Sequence, residues 1–253
     1  MSLPPTGRPK MAESSGVPPP AANSGRGAAM LLLFDIRADA IEEHDDWHTH
    51  EHLPERLAIP GFLRGSRWIA TSGSPRYLVM YEVEELAVLG GPHYLERLNN
   101  PTPWTSKMMA TYSGMRRTLC DIVARRGAGL GSTALLIRFA ANPEHGNALQ
   151  GWLTGEAVRE LVKRPGIASA TLFSAALDAV MTREQQIRGR DAQLQSALLV
   201  TGYDGNAVAA LAEFDLHQQQ FAARGARMTD HASGIFRNAI TLTARDSQTF
   251  DPS

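Results

Sequence analysis

The chain has 253 residues, 43% of them apolar and 20% charged, with a net charge of −1. That length allows two domains with a sizeable core, and the near-zero charge without a long basic run gives no electrostatic case for nucleic acid or an anionic membrane as partner. The single Cys120 excludes an internal disulfide and a cysteine-based metal cluster, and no apolar run approaches the ~20 residues that span a bilayer.

Residues 1–29, rich in Pro, Gly, Ser and Ala, predict a disordered leader. The leader lacks the apolar stretch of a secretory signal, so a cytoplasmic protein is expected. Met30–Ile36 reads as a strand buried on both faces. Asp39-Ala-Ile-Glu42 is a capping-box pattern with Asp at the cap, opening a helix to about Leu53. Pro54 cannot donate to the His50 carbonyl, so a kink is expected before a last turn through Leu57 and a stop at Pro60-Gly61. Phe62–Ala70 and Tyr77–Val83 form a hairpin across Ser72–Pro75. Glu84–Leu98 is helical with a break at Gly90-Gly-Pro92, a short helix runs through Met108, and the strand Tyr112–Val123 completes a βαββαβ order. Arg125–Gly131 is a flexible linker by composition, and Cys120 reads as a small buried hydrophobe.

The order then repeats: strand Thr133–Phe139, helix Glu144–Lys163, strands Ile167–Phe173 and Leu194–Tyr203, helix Asn206–Ala223 and strand Gly234–Thr243. At a shift of 105, Trp47, Thr49, Glu51, Glu55, Pro60 and Gly61 meet Trp152, Thr154, Glu156, Glu160, Pro165 and Gly166, while His48, His50 and His52 meet Leu153, Gly155 and Ala157. The expectation is a duplicated domain, residues 30–125 keeping a polar site and residues 132–245 only the scaffold, with a tail at 246–253. One stretch departs from the repeat. Thr182–Asp191 replaces the short turn of the first half, and reads first as an exposed hairpin extension and second as a lid over the cavity.

A βαββαβ unit with Trp47, His52 and Pro54 on a helix running into Ile59-Pro-Gly-Phe62 resembles the dimeric α/β-barrel (ferredoxin-like) superfamily, and within it the EthD-like branch. The second half matches through Trp152, Pro165 and Gly166. The resemblance implies an α+β chain in which two ferredoxin-like units, fused in tandem, enclose an intramolecular barrel with a ligand inside. Both faces of Leu31–Leu33, Leu78–Met80 and Leu135–Ile137 are apolar, which independently requires a second sheet to cover the first. Members of the superfamily include cofactor-free monooxygenases, isomerases, cyclases and haem enzymes, so the fold does not choose a reaction.

Four of the eight histidines, His44, His48, His50 and His52, fall within nine residues. At helical spacing His48 and His52 share a face with Glu51 and Glu55, and His50 points away with Trp47. This face suits a solvated surface, a general acid/base pair, or a divalent metal held by His48, His52 and a glutamate; no zinc-protease signature surrounds it. The resemblance places weight on His52 as general acid/base near pH 7, with His48, Glu51 or Glu55 in support. Arg67 on the second strand, Trp47 and His93 are the candidate substrate contacts, with Arg67 the arginine expected to point inward. Arg116 and Arg117 raise the same question. The expected function is a small-molecule enzyme without a nucleotide cofactor, an isomerase, cyclase, lyase or monooxygenase acting on a carbonyl or aromatic compound. The alternative is a non-catalytic ligand-binding protein. Association into a homodimer of such barrels is compatible with either.

Overall fold

The structure, a computed structural model, describes residues 27–72, 75–142, 146–177, 182–188, 192 and 195–247. Most of the expected leader therefore lies outside the described residues. The first strand, β1 (Ala28–Ile36), begins two residues before Met30. It is followed by a 3-10 turn, α1 (Ile41–Trp47), a π-helical turn over His48–His52, and α2 (Leu53–Leu57). Next come β2 (Phe62–Ala70), β3 (Tyr77–Val83), α3 (Pro92–Asn99), α4 (Pro103–Met109) and β4 (Tyr112–Gly127). The second half carries β5 (Thr133–Ala141), α5 (Gly146–Trp152), a π-helical turn over Leu153–Ala157, α6 (Val158–Leu161) and β6 (Ile167–Leu177). It continues with α7 (Arg183–Arg188), β7 (Ser196–Gly202), α8 (Gly205–Glu213), α9 (Gln218–Ala222), β8 (Ala226–Thr243) and α10 (Ala244–Ser247).

The eight strands close into one antiparallel barrel in the order β1-β3-β2-β8-β5-β7-β6-β4. Each half contributes four neighbouring strands, and the halves meet at β2–β8 and β4–β6. This is the α+β, pseudo-dimeric barrel that the repeat and the two-faced apolar strands imply. The expected linker is shorter than composition suggests, because Arg125, Arg126 and Gly127 extend β4 and pair with Thr171, Ala170 and Ser169 of β6. A sheet edge that needs partners recruits them from any chain alongside, whatever its composition.

Alternation along the strands sorts the core into layers. Leu31 and Leu33 join Trp68, Met80, Leu136, Phe173, Leu199 and Phe236 in a cluster drawn from both halves, which fills the barrel. Cys120 belongs to the same cluster, and burial pushes its thiol up to about 12, as befits an inert small hydrophobe. Met30 and Phe34 face the other way, into a layer with Leu53, Leu57, Tyr77 and Tyr94 beneath the first-half helices. The second half repeats that layer under α5, α6 and α8.

Gly61 ends the first helical segment at φ 89° and Gly166 its counterpart at φ 88°. A side chain at Gly61 would also meet Val88 Cγ2 at 2.5 Å, and one at Gly166 would meet Ala207 Cβ at 2.6 Å. The paired Pro-Gly steps thus mark the same tight exit in both halves. The capping box does not form: Asp39 lies in the 3-10 turn, and its carboxylate accepts from Arg37 Nε at 2.5 Å instead.

Candidate functional site

The site starts with the widened turn between α1 and α2. There the Leu53 amide donates to the His48 carbonyl five residues back, and in the second half Val158 does the same to Leu153. The second turn has Arg159 where the first has Pro54, so the proline is not the cause of the widening. It is tolerated there because the missing amide falls at a turn already departing from α-helical bonding. The turn aligns three imidazoles along the buried side: His44 and His48 lie 5.6 Å apart centre to centre, His48 and His52 5.5 Å. Their residues are 0%, 2% and 7% exposed, while His50 points to solvent and bonds the Asp46 carbonyl. Trp47 backs the row, its ring 4.5 Å from that of His52.

His48 and His52 open into a hollow between the outer face of the first-half sheet and the helix layer. The hollow is outside the barrel. The expected ligand space inside it is taken by Trp68, Phe173, Phe236 and their neighbours. Met30, Phe34, Tyr81 and Arg117 form its floor, Tyr94 and Arg56 its sides, and Glu184 and Arg188 of α7 its roof. The polar stretch read first as an exposed extension is therefore the cover, at least over Thr182–Arg188; Gly189–Asp191 lie outside the described residues. Thr182, Glu184 and Gln185 are buried, and Asn99 at the end of α3 accepts from the Arg183 amide at 3.2 Å. Under this cover the cavity measures about 20 Å³, space for a water or two.

The charges in the hollow are unevenly matched. Arg56 is 1% exposed and forms a buried ion pair with Glu184, which also lies 3.7 Å from Arg188. Burial works against the Arg56 charge, but Glu184 and then Glu55 outweigh it and raise its pKa. Burial lowers the His48 pKa well below the usual imidazole value, and Arg67 and His44 add to the effect. Burial does the same to His52, reinforced by Arg56. Both rings are neutral at pH 7, and Nδ1 of each has no hydrogen-bond partner. Each Nδ1 is open to a ligand hydrogen bond, while burial and the nearby guanidinium groups oppose the protonated form.

The expected supporting carboxylates do not reach these rings. Glu51 turns to the other side, where Oε1 accepts from Trp47 Nε1 at 3.0 Å, Thr102 Oγ1 at 2.6 Å and Thr105 Oγ1 at 3.1 Å. Glu55 lies 3.5 Å from Arg56 and 3.6 Å from Arg97, its pKa raised by burial. A carboxylate–imidazole contact exists one turn earlier, where His44 Nδ1 meets Asp45 Oδ1 at 3.2 Å and Nε2 meets the Tyr112 hydroxyl at 3.2 Å. The spacing of four from His44 to His48 to His52 is a signal that could have brought His44 into the set. Arg67 faces the helices rather than the hollow, donating to the Asp45 carbonyl at 2.9 Å and to Thr49 Oγ1 at 3.1 Å. On β2 it is Arg64 that turns to the barrel side, bonded to Glu82 at 2.5 Å. His93 is exposed at the start of α3. Arg117 is the inward member of the Arg116–Arg117 pair whose direction the sequence left open. Arg56, Glu184 and Arg188 were not among the expected site residues, and nothing local joins Arg56 to a glutamate 128 positions away.

No protein-family model and no curated protein matches the sequence. The fold, in contrast, has many solved counterparts. An anthrone oxidase-like protein superposes with a TM-score of 0.60 at 9% identity, over 88% of this chain and 95% of the other. A monooxygenase candidate from Fusobacterium nucleatum subsp. nucleatum gives 0.59 at 8% identity, over 87% and 95%. A mutant chlorite dismutase from Candidatus Nitrospira defluvii gives 0.51 at 10%, over 90% and 97%. The fold is that of the dimeric α/β barrels.

Within this barrel the halves differ in chemistry. The second half has its own hollow, larger at about 210 Å³, beside Phe139, Leu149, Leu153 and Leu172, and among the described residues no titratable side chain lines it. Among the described residues no group of three or more His, Cys, Asp or Glu is placed to hold a metal ion, and no helix is long and apolar enough to cross a membrane.

Proposed function

We propose that this barrel is a small-molecule enzyme in which His52, with His48 beside it, removes an acidic proton from a carbonyl or phenolic compound bound in the first-half hollow. The observation that carries the reading is the burial of two neutral imidazoles, each with an unpartnered Nδ1, in a covered hollow that holds three guanidinium groups. Burial and the guanidinium groups oppose a lone imidazolium, so the base takes the substrate proton only as the enolate or phenolate forms beside it, the electron pair staying on the substrate. Nearby positive charge stabilises that anion as it forms. Return of the proton to another carbon gives an isomerisation. With dioxygen as second substrate, a methylene becomes a carbonyl: one oxygen atom stays on the carbon, and the other leaves as water with the methylene's two hydrogens, including the proton first taken by the histidine. The barrels described as an anthrone oxidase-like protein and a monooxygenase candidate favour the oxygenation, and the Trp47–Gly61 stretch favours an EthD-like place within the fold. Neither route needs a nucleotide cofactor.

The test is turnover on a panel of phenolic and 1,3-dicarbonyl compounds, with oxygen uptake and proton exchange into D2O both recorded. His52→Ala is expected to lower turnover by about 10²-fold or more. Undiminished turnover in that variant would remove the role, and binding without turnover in the native chain would make the barrel a carrier.

A further inference from the structure

We infer that the ligand of the first-half hollow is an organic monocarboxylic acid, its carboxylate paired with Arg117. The inference rests on the reading above for the place where substrate binds, but not for the chemistry of the histidines.

Arg117 stands on β4 with 4% of its surface exposed. Its Nη2 donates to the Tyr94 hydroxyl at 3.1 Å and its Nε lies 3.2 Å from Met30 Sδ, while Nη1 has no partner. Among the described residues no carboxylate pairs with it. Arg56 occupies the opposite situation on the same ring: its guanidinium lies 5.9 Å from the Tyr94 centroid, that of Arg117 5.8 Å, and only Arg56 has Glu184. The hollow is thus lined by three guanidinium groups and one carboxylate. A guanidinium taken out of water without a counter-charge costs several kcal/mol, and a bound anion removes that cost. The Tyr81 hydroxyl, which lines the same hollow and likewise has no partner, supplies a second donor. The remaining walls, Met30, Phe34, Val79 and Met115 among them, suit an apolar body rather than a second charge. One negative group on a mostly apolar molecule fits this inventory, with the neutral imidazoles free to act on the rest of it. The size of the covered cavity means that anything larger than formate enters only when α7 lifts.

The test uses the full chain and three matched pairs: formate, acetate and benzoate as sodium salts against formamide, acetamide and benzamide, with sodium chloride at equal ionic strength as reference. Thermal shift and titration calorimetry should show each carboxylate bound about tenfold or more tightly than its amide, the scale of a charge-assisted hydrogen bond. Arg117→Gln should abolish the difference and Arg117→Lys should keep part of it. Equal behaviour of acids and amides, including no response to either, overturns the inference, as does an undiminished preference in Arg117→Gln. Should that variant not fold, the comparison on the native chain still decides. His52→Ala is expected to keep the carboxylate preference, so a variant that both keeps the preference and retains full turnover sinks the proton-transfer reading alone.

Discussion

Three buried imidazoles on about two turns of helix tie the fold to the solvent's proton concentration. Burial lowers the pKa of His44, His48 and His52, against the opposing pull of Asp45 on His44. In the unfolded chain each returns to about 6.5. Above that value neither state binds the protons and stability is complete. As pH falls below it the unfolded chain takes up protons that the folded chain refuses, so stability is lost towards acid. Denaturant midpoints should fall between pH 7 and pH 5, with a slope of up to about 1.4 kcal/mol per pH unit for each imidazole. His48→Gln should reduce that slope, and a flat profile in the native chain would show the rings to be wet. Glu55, whose pKa burial raises, works in the opposite sense at lower pH.

The elements were legible in proportion to how local their causes are. Phe62–Ala70 and Tyr77–Val83 are the observed bounds of β2 and β3, because turn residues and apolar runs set both ends. The pairing of Trp47 with Trp152 and of Gly61 with Gly166 was readable as a repeat, and both helices do widen at the same offset. The widening itself was not readable. A 3.6-residue period assumed across it put Glu51 beside the histidines, whereas Trp47, Thr102 and Thr105 claim that carboxylate. The role of α7 was hidden for another reason: its polar sequence looks like a solvated extension until Glu184 is seen against Arg56. That pair makes a prediction about the cover. Replacing Arg56 with Met leaves the buried Glu184 with only Arg188, at 3.7 Å, and should cost up to about 3–5 kcal/mol. Adding Glu184→Leu should restore most of the loss. Unfolding by urea, read as a double-mutant cycle, measures the coupling; additive losses would mean that α7 is not held by this contact.

For the molecule as a whole, closing eight strands into a barrel fills most of the inner face by packing and leaves a polar space of about 60 Å³ at one end, beside Arg64, Glu82 and Arg125. Trp68, with Nε1 bonded to Ser66 at 2.9 Å, sits among side chains from both halves, and the ligand space moves to the outer faces beneath the helices. Two such spaces result from the repeat, the larger apolar and the smaller furnished with imidazole and guanidinium groups. The sequence showed which half carries the imidazoles that line a hollow, since His48 and His52 face Leu153 and Ala157 across the repeat. It did not show on which side of the sheet that chemistry lies, because strands apolar on both faces look alike from either. The central claim is that His48 and His52 are buried, neutral bases inside a covered hollow. Histidine-selective NMR titration of the native chain, with His48→Gln and His52→Gln for assignment, tests it most directly. Both rings should stay neutral from pH 8 down to the onset of unfolding below pH 6, and either ring titrating freely near 6.5 would contradict the account.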